Sequence, residues 1–157
     1  MRKQIITQAN KGVSRSNQPW LNLERLAQVE VTSEDSSQPI ESALLPDAGP
    51  GWHAGEPGQQ TVRLLFDKPQ RVRRVRLVFQ EDEQERTQQF VLRWSSDGGQ
   101  SYREIVRQQY NFSPPATTSE SEDYTVELEG LNALELSIVP DISGGSARAS
   151  LAELRLA

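Results

Sequence analysis

From residue 29 onward, apolar side chains recur at every second position along short stretches of this chain. Val29 and Val31 recur in this way, as do Val62, Leu64 and Phe66, and then Val75, Leu77 and Phe79. Phe90, Leu92 and Trp94 repeat the pattern, followed by Tyr124, Val126 and Leu128, and by Leu134, Leu136 and Ile138. The last apolar run is Leu151, Leu154 and Leu156. Successive side chains of a strand point to opposite faces. A period of two therefore predicts strands with one face in a core and the other in water.

Turn signals separate these runs. Asp67-Lys68-Pro69 and Glu129-Gly130 each fall between two alternating segments, and Pro140-Asp141 with Ser143-Gly144-Gly145 precedes the last one. Ser95-Ser96-Asp97-Gly98-Gly99 is a hairpin signal, because glycine reaches positive φ without a steric cost. It joins the Trp94 strand to one over Tyr102 to Tyr110. The sum is an all-β chain of about eight antiparallel strands with little helix, which predicts a sandwich. Val72 and Val75 have opposite parity, so a bulge near Arg73-Arg74 is needed to turn both inward. Arg74, Arg76 and Val78 then face away from the core. Two stretches, Pro46 to Gln60 and Asn111 to Asp123, read as long irregular loops, and such loops often carry function.

Ahead of the alternating region, residues 1–27 are weakly patterned. They read as an N-terminal arm that packs Trp20, Leu21, Leu23 and Leu26 onto a domain spanning 28–157. A length of 157 residues suits one core, and 35% hydrophobic with 25% charged residues is a globular mixture. The formal charge of -5 makes nucleic acid an unfavoured partner, because an acidic chain repels phosphate. The absence of cysteine excludes disulfides and thiolate metal sites. The basic start lacks an apolar run behind it, and no segment has membrane-spanning length, so a cytoplasmic protein without a membrane partner is expected.

His53 is the only histidine. A nucleophilic triad built on it lacks both a cysteine and a Gly-x-Ser-x-Gly elbow, and one histidine does not make a zinc site. The acids of Glu81-Asp82-Glu83 and Glu120 to Asp123 sit in loop-like runs, where solvation accounts for them. No enzyme is expected. Loop aromatics are the better lead, because sugars stack their C–H faces on aromatic rings and need bidentate polar partners for their hydroxyls. Trp52 with His53, and Tyr110 with Phe112, border the two long stretches, and Arg107 adds hydrogen-bonding capacity beside them. The competing use of these rings is to plug the ends of the sandwich, which is favoured for Trp52. Arg74 and Arg76, with Arg93 and Arg103, form an arginine-rich face whose expected use is a cross-strand ladder with acids.

The order of features from Val29 to Leu156 resembles the galactose-binding-like superfamily, which includes discoidin or coagulation-factor C-type domains. The features are a strand ending Val31-Thr32-Ser33-Glu34, a helical turn Pro39 to Leu44, and a loop with Gly51-Trp52-His53-Ala54-Gly55. After them come the hairpin Phe90 to Gly99 and a closing strand Ala149 to Leu156. The resemblance implies a jelly-roll β-sandwich and a binding module, most often for carbohydrate or a glycoconjugate. The Thr32–Ser37 and Trp52–Gly58 segments are also similar to the N-terminal domain of a eukaryotic single-strand-break repair scaffold. That likeness implies an alternative role in binding protein or DNA. Many carbohydrate-binding relatives hold a structural calcium, which implies Asp47 and Glu153 as two of the six to eight oxygens calcium takes. The loop here, Leu45-Pro46-Asp47-Ala48-Gly49-Pro50, lacks the usual Asp-Gly followed by a hydroxyl residue.

Overall fold

The period-two segments form antiparallel strands whose buried positions follow the alternation. In the computed structural model, which describes residues 19–157, these are β1 (Ala27–Val31), β2 (Trp52–Pro57), β3 (Gln60–Gln80) and β4 (Arg86–Ser95). They continue with β5 (Arg103–Phe112), β6 (Ser119–Val139), β7 (Arg148–Leu151) and β8 (Glu153–Leu156). One-turn helices at Leu23–Leu26 and Glu41–Leu44 complete the elements. Residues 1–18 of the expected arm lie outside the described residues. Leu21, just after them, donates its N–H to the Leu156 carbonyl at 2.7 Å.

β3 and β6, each 21 residues long, are the frame of the fold. The first half of β3 lies between β1 and the second half of β6, and its second half lies between β8 and the first half of β6. The second half of β6 also pairs with β4, and β4 pairs with β5. Both long strands bend where their register slips, between Leu65 and Arg74. Their halves thereby fold over one another as two layers. Phe79 of one layer meets Phe90 of the other with ring centroids 5.1 Å apart. The result is a jelly-roll sandwich closed on one side by the separate β2–β7 ladder. The predicted core residues of β3, β4 and the second half of β6 are all buried except Trp94, which is half-buried. Full burial of each large aliphatic or aromatic side chain contributes about 1.5–3 kcal/mol.

Three readings of the chain are corrected. Asp67–Pro69 and Glu129–Gly130 do not end strands. They bend together, with Gln70 opposite Leu131, so pairing continues through the corner and four expected strands become two. The supposed loop of residues 46–60 contains β2, whose buried members are a tryptophan and a small alanine. The supposed loop of residues 111–123 shrinks to a turn around Ser113–Thr117, because β6 begins at Ser119 and turns Glu120 inward.

The expected bulge is present. Register shifts between Val72 and Arg74, and both Val72 and Val75 are fully buried. Arg74 faces outward to Asp123 at 2.7 Å, and Arg76 reaches Glu153 at 4.0 Å. Arg93 meets Glu135 at 3.5 Å, and Arg103 lies over the Trp94 ring. Arg74 and Arg76 thus lie on the layer of β8 and the first half of β6, and Arg93 and Arg103 on the other layer, so the four do not share the single face expected of them; each is used in an ion pair or in stacking.

Candidate ligand-binding face

On β2 the alternation sends Trp52 inward and His53 outward. Trp52 has no exposed surface. Its Nε1 donates to the Ser33 carbonyl at 3.0 Å, so the ring seals the sandwich and offers no face to a ligand. His53 is exposed and lies opposite Ser150 of β7, while Pro57 lies opposite Arg148. The His53 N–H donates to the Gln38 carbonyl at 3.1 Å, and the His53 carbonyl accepts from Asp35 N at 2.8 Å. The segment of residues 32–38 is thereby sewn to the open edge of β2.

This seam needs a glycine. A Cβ on Gly55 would lie 2.8 Å from the Glu34 carbonyl oxygen. Below it, Thr32 Oγ1 and Ser33 Oγ both donate to Gln60 Oε1, at 2.6 and 2.7 Å, and Ser33 Oγ accepts from Gly55 N at 2.9 Å. Gln60 itself is buried. These bonds fix the loop on a rigid pair of strands.

The seam brings Asp35, His53 and Arg148 together. Asp35 Oδ1 accepts from Ser37 N at 2.9 Å and from Ser37 Oγ at 2.8 Å. Those bonds, the backbone one first, hold its carboxyl below the usual range, with His53 and Arg148 acting in the same direction. A carboxylate, an imidazole and an exposed guanidinium thus share one surface. Asp35 and Arg148 were not singled out in the sequence. Arg148 is placed by the β2–β7 register and Asp35 by the backbone bonds that sew its segment to His53, and short alternating runs encode neither pairing.

The second aromatic pair behaves differently. Tyr110 and Phe112 meet edge to face at 5.0 Å, but Phe112 is fully buried and cannot stack on a ligand. Tyr110 is half-buried and donates its hydroxyl to the Ser119 carbonyl at 2.9 Å. Arg107 has odd parity relative to Tyr110, so it points to the other face of β5. There it is exposed and pairs with Glu104 at 3.0 Å. Asp47 and Glu153 do line one cavity, of about 420 Å³, together with Arg155.

Residues 28–154 match the F5/8 type C domain. The chain belongs to that family. This F5/8 type C domain is similar in fold to the family 32 carbohydrate-binding module of NanJ from Clostridium perfringens, solved with galactose. The two are 14% identical with a TM-score of 0.63, over 87% of this chain and 96% of that one. It is similar as well to a second Clostridium perfringens family 32 module, solved with GalNAc-β-1,3-galactose. There the identity is 17% and the TM-score 0.63, over 88% and 99% of the two chains. A third similar structure is the family 32 module of AlyQ with 4,5-unsaturated mannuronic acid, at 15% identity and a TM-score of 0.62, covering 89% and 98%. No curated protein matches the chain.

Proposed function

We propose that this F5/8 type C domain is a non-catalytic module that binds a carbohydrate or glycoconjugate through the face formed by Asp35, His53 and Arg148. The observation that carries the reading is the grouping of these three hydrogen-bonding side chains at the β2–β7 ladder and the segment sewn to its edge. Asp35 accepts hydrogen bonds from hydroxyls, the Arg148 fork donates two at once, and His53 does either. A sugar ring presents the vicinal hydroxyls such a set suits. The galactose and GalNAc-β-1,3-galactose in similar modules support this class of ligand.

A carboxyl held low stays ionised and accepts hydrogen bonds, the role given to Asp35 here. The role in binding DNA gains no support from the arginines singled out for it, since Arg74, Arg76 and Arg93 are each paired with a carboxylate and Arg103 lies over the Trp94 ring.

A glycan array probed with wild type, His53→Ala and Arg148→Ala tests the reading. Binding to one glycan class by wild type, weakened roughly tenfold in each variant, is the expected result, because a lost hydrogen bond to a charged group costs about 1.5–3 kcal/mol. Silence of the wild type across the array overturns carbohydrate recognition. Binding unchanged in both variants overturns this location for it.

A further inference from the structure

The calcium reading of Asp47 and Glu153 meets an obstacle built into the cavity they share. That cavity already holds a positive charge. Arg155 lines it, with its side chain only 11% exposed. Its Nη1 donates to the Ala43 carbonyl at 2.8 Å and to the Leu154 carbonyl at 2.9 Å. Its Nε lies 3.5 Å from Glu153 Oε1.

The Ala43 and Leu154 carbonyls and the Glu153 carboxylate therefore already face a guanidinium. Calcium takes six to eight oxygen ligands. With both carbonyls taken by Arg155, two carboxylates supply at most about four oxygens, and among the described residues no group of three or more His, Cys, Asp or Glu is placed to hold a metal ion. A divalent ion lodged beside Arg155 would also be repelled by it in a partly desolvated setting, where Coulomb interactions are strong. The donor set does not fit the metal.

We infer that Arg155 is the built-in cation of this cavity and supplies the positive charge a calcium ion would supply, so that the domain folds and holds its shape without calcium. The guanidinium is suited to the task. It is a planar fork that keeps its charge when buried and offers donors in several directions. The bond to Ala43 spans 112 residues of sequence and ties the Glu41–Leu44 turn to the closing strand β8. Burial pulls the Arg155 guanidinium down, while Glu153 and Asp47 push it back up. The carboxylates thus serve as its counter-ions. Arg76, 4.0 Å from Glu153 on the outer side, adds a second positive charge near the same carboxylate and further disfavours a metal.

Thermal melting of the full chain in excess EDTA and in millimolar calcium chloride tests the inference. Wild type is expected to melt at the same temperature in both. Arg155→Met keeps the aliphatic stem and removes the charge; it should lower the melting temperature by several degrees, and Arg155→Lys should recover part of the loss. Adding Glu153→Gln to Arg155→Met should also recover part of it, because the uncompensated carboxylate is then gone. A packing role alone would not produce that rescue. A wild-type melting temperature that rises with calcium or falls with EDTA overturns the inference, as does an Arg155→Met protein as stable as wild type. Should Arg155→Met not fold, a folded Arg155→Lys that ignores calcium supports the charge role. Failure of both variants to fold means that the position demands arginine's shape rather than its charge, and the inference falls.

Discussion

The indole of Trp52 is hydrogen-bonded to the Ser33 carbonyl at 3.0 Å across 19 residues of sequence, and this bond joins the segment of residues 32–38 to the core. The ring occupies the space a plug would fill, and the N–H satisfies a carbonyl that the surrounding ladder leaves free. Removing the ring opens a cavity and orphans Ser33. Trp52→Ala should therefore cost about 3–5 kcal/mol. Trp52→Phe, which keeps much of the bulk, should cost about 1–3 kcal/mol for the orphaned carbonyl. Urea denaturation of both variants checks the values. Well below its melting temperature Trp52→Phe should still bind ligand, which separates a supporting ring from a stacking one.

Arg86 is the buried cation at the same end of the sandwich. Its side chain is 0% exposed, yet it donates to Glu81 at 2.7 Å, to the Pro140 carbonyl at 2.9 Å and to Ser150 Oγ at 3.3 Å. It also lies 4.8 Å above the Phe112 ring. One guanidinium thus clamps β4, the segment after β6, and β7. Deleting one partner of a buried pair strands the other, so Arg86→Met should cost about 3–5 kcal/mol. Lysine supplies charge without the planar fork, so Arg86→Lys should remain well short of wild type. Chemical denaturation ranks the three proteins, and an Arg86→Met protein of wild-type stability would refute the clamp.

A carboxyl pair between the layers makes stability depend on pH. Glu120 is 2% exposed, and burial, helped by the facing Glu122, pushes its carboxyl up from 4.5 to about 8. Gln108 Nε2 reaches both carboxylates, and Tyr124 donates its hydroxyl to Gln108 Oε1 at 2.6 Å. The folded protein therefore holds a proton that the unfolded chain releases. Where the folded state binds more protons, stability falls as pH rises. Stability should decline from about pH 5 to about pH 8, by a few kcal/mol in total, since one extra bound proton is worth about 1.4 kcal/mol for each tenfold change in proton concentration. Glu120→Gln carries no ionisable proton and should flatten that slope. Urea midpoints at about pH 6 and pH 9 measure it, and equal slopes in the two proteins would remove the pair as its source.

The strand content was legible because buried apolar positions recur at every second residue from Val62 to Phe66 and from Leu134 to Ile138, with half-buried positions between them. The corner at Gln70 and Leu131 was not, since a bend shared by two paired strands looks locally like two turns. β2 was hidden because Trp52 and Ala54 are its buried members among glycines and prolines. The start of β6 was hidden because its inward residue is Glu120, a carboxyl that reads as solvent-facing until its burial is seen. Of the expected ligand residues, His53 lies on the proposed face. Trp52 and Phe112 were aromatic for the sake of the core, and Arg107 shares a strand with Tyr110 but not a face. Arg148 required the pairing of β2 with β7, and Asp35 the docking of its segment on β2, both properties of the assembled structure.

Support and contact within the proposed face can be separated at Gly55 and His53. A methyl group on Gly55 would approach the Glu34 carbonyl to 2.8 Å, and that oxygen belongs to backbone that cannot swing away as a side chain would. The segment of residues 32–38 would have to lift from β2, straining the Asp35 N–H to His53 carbonyl bond and moving the Asp35 carboxylate. Overpacking of this kind costs about 1–3 kcal/mol. Gly55→Ala should lower both the melting temperature and the affinity for a bound glycan. His53→Ala removes an exposed side chain whose backbone bonds survive, so it should weaken binding while leaving the melting temperature within about a degree of wild type. Calorimetric titration beside thermal melting resolves the two. A Gly55→Ala protein with wild-type affinity would show that the loop's seat on β2 does not shape the site.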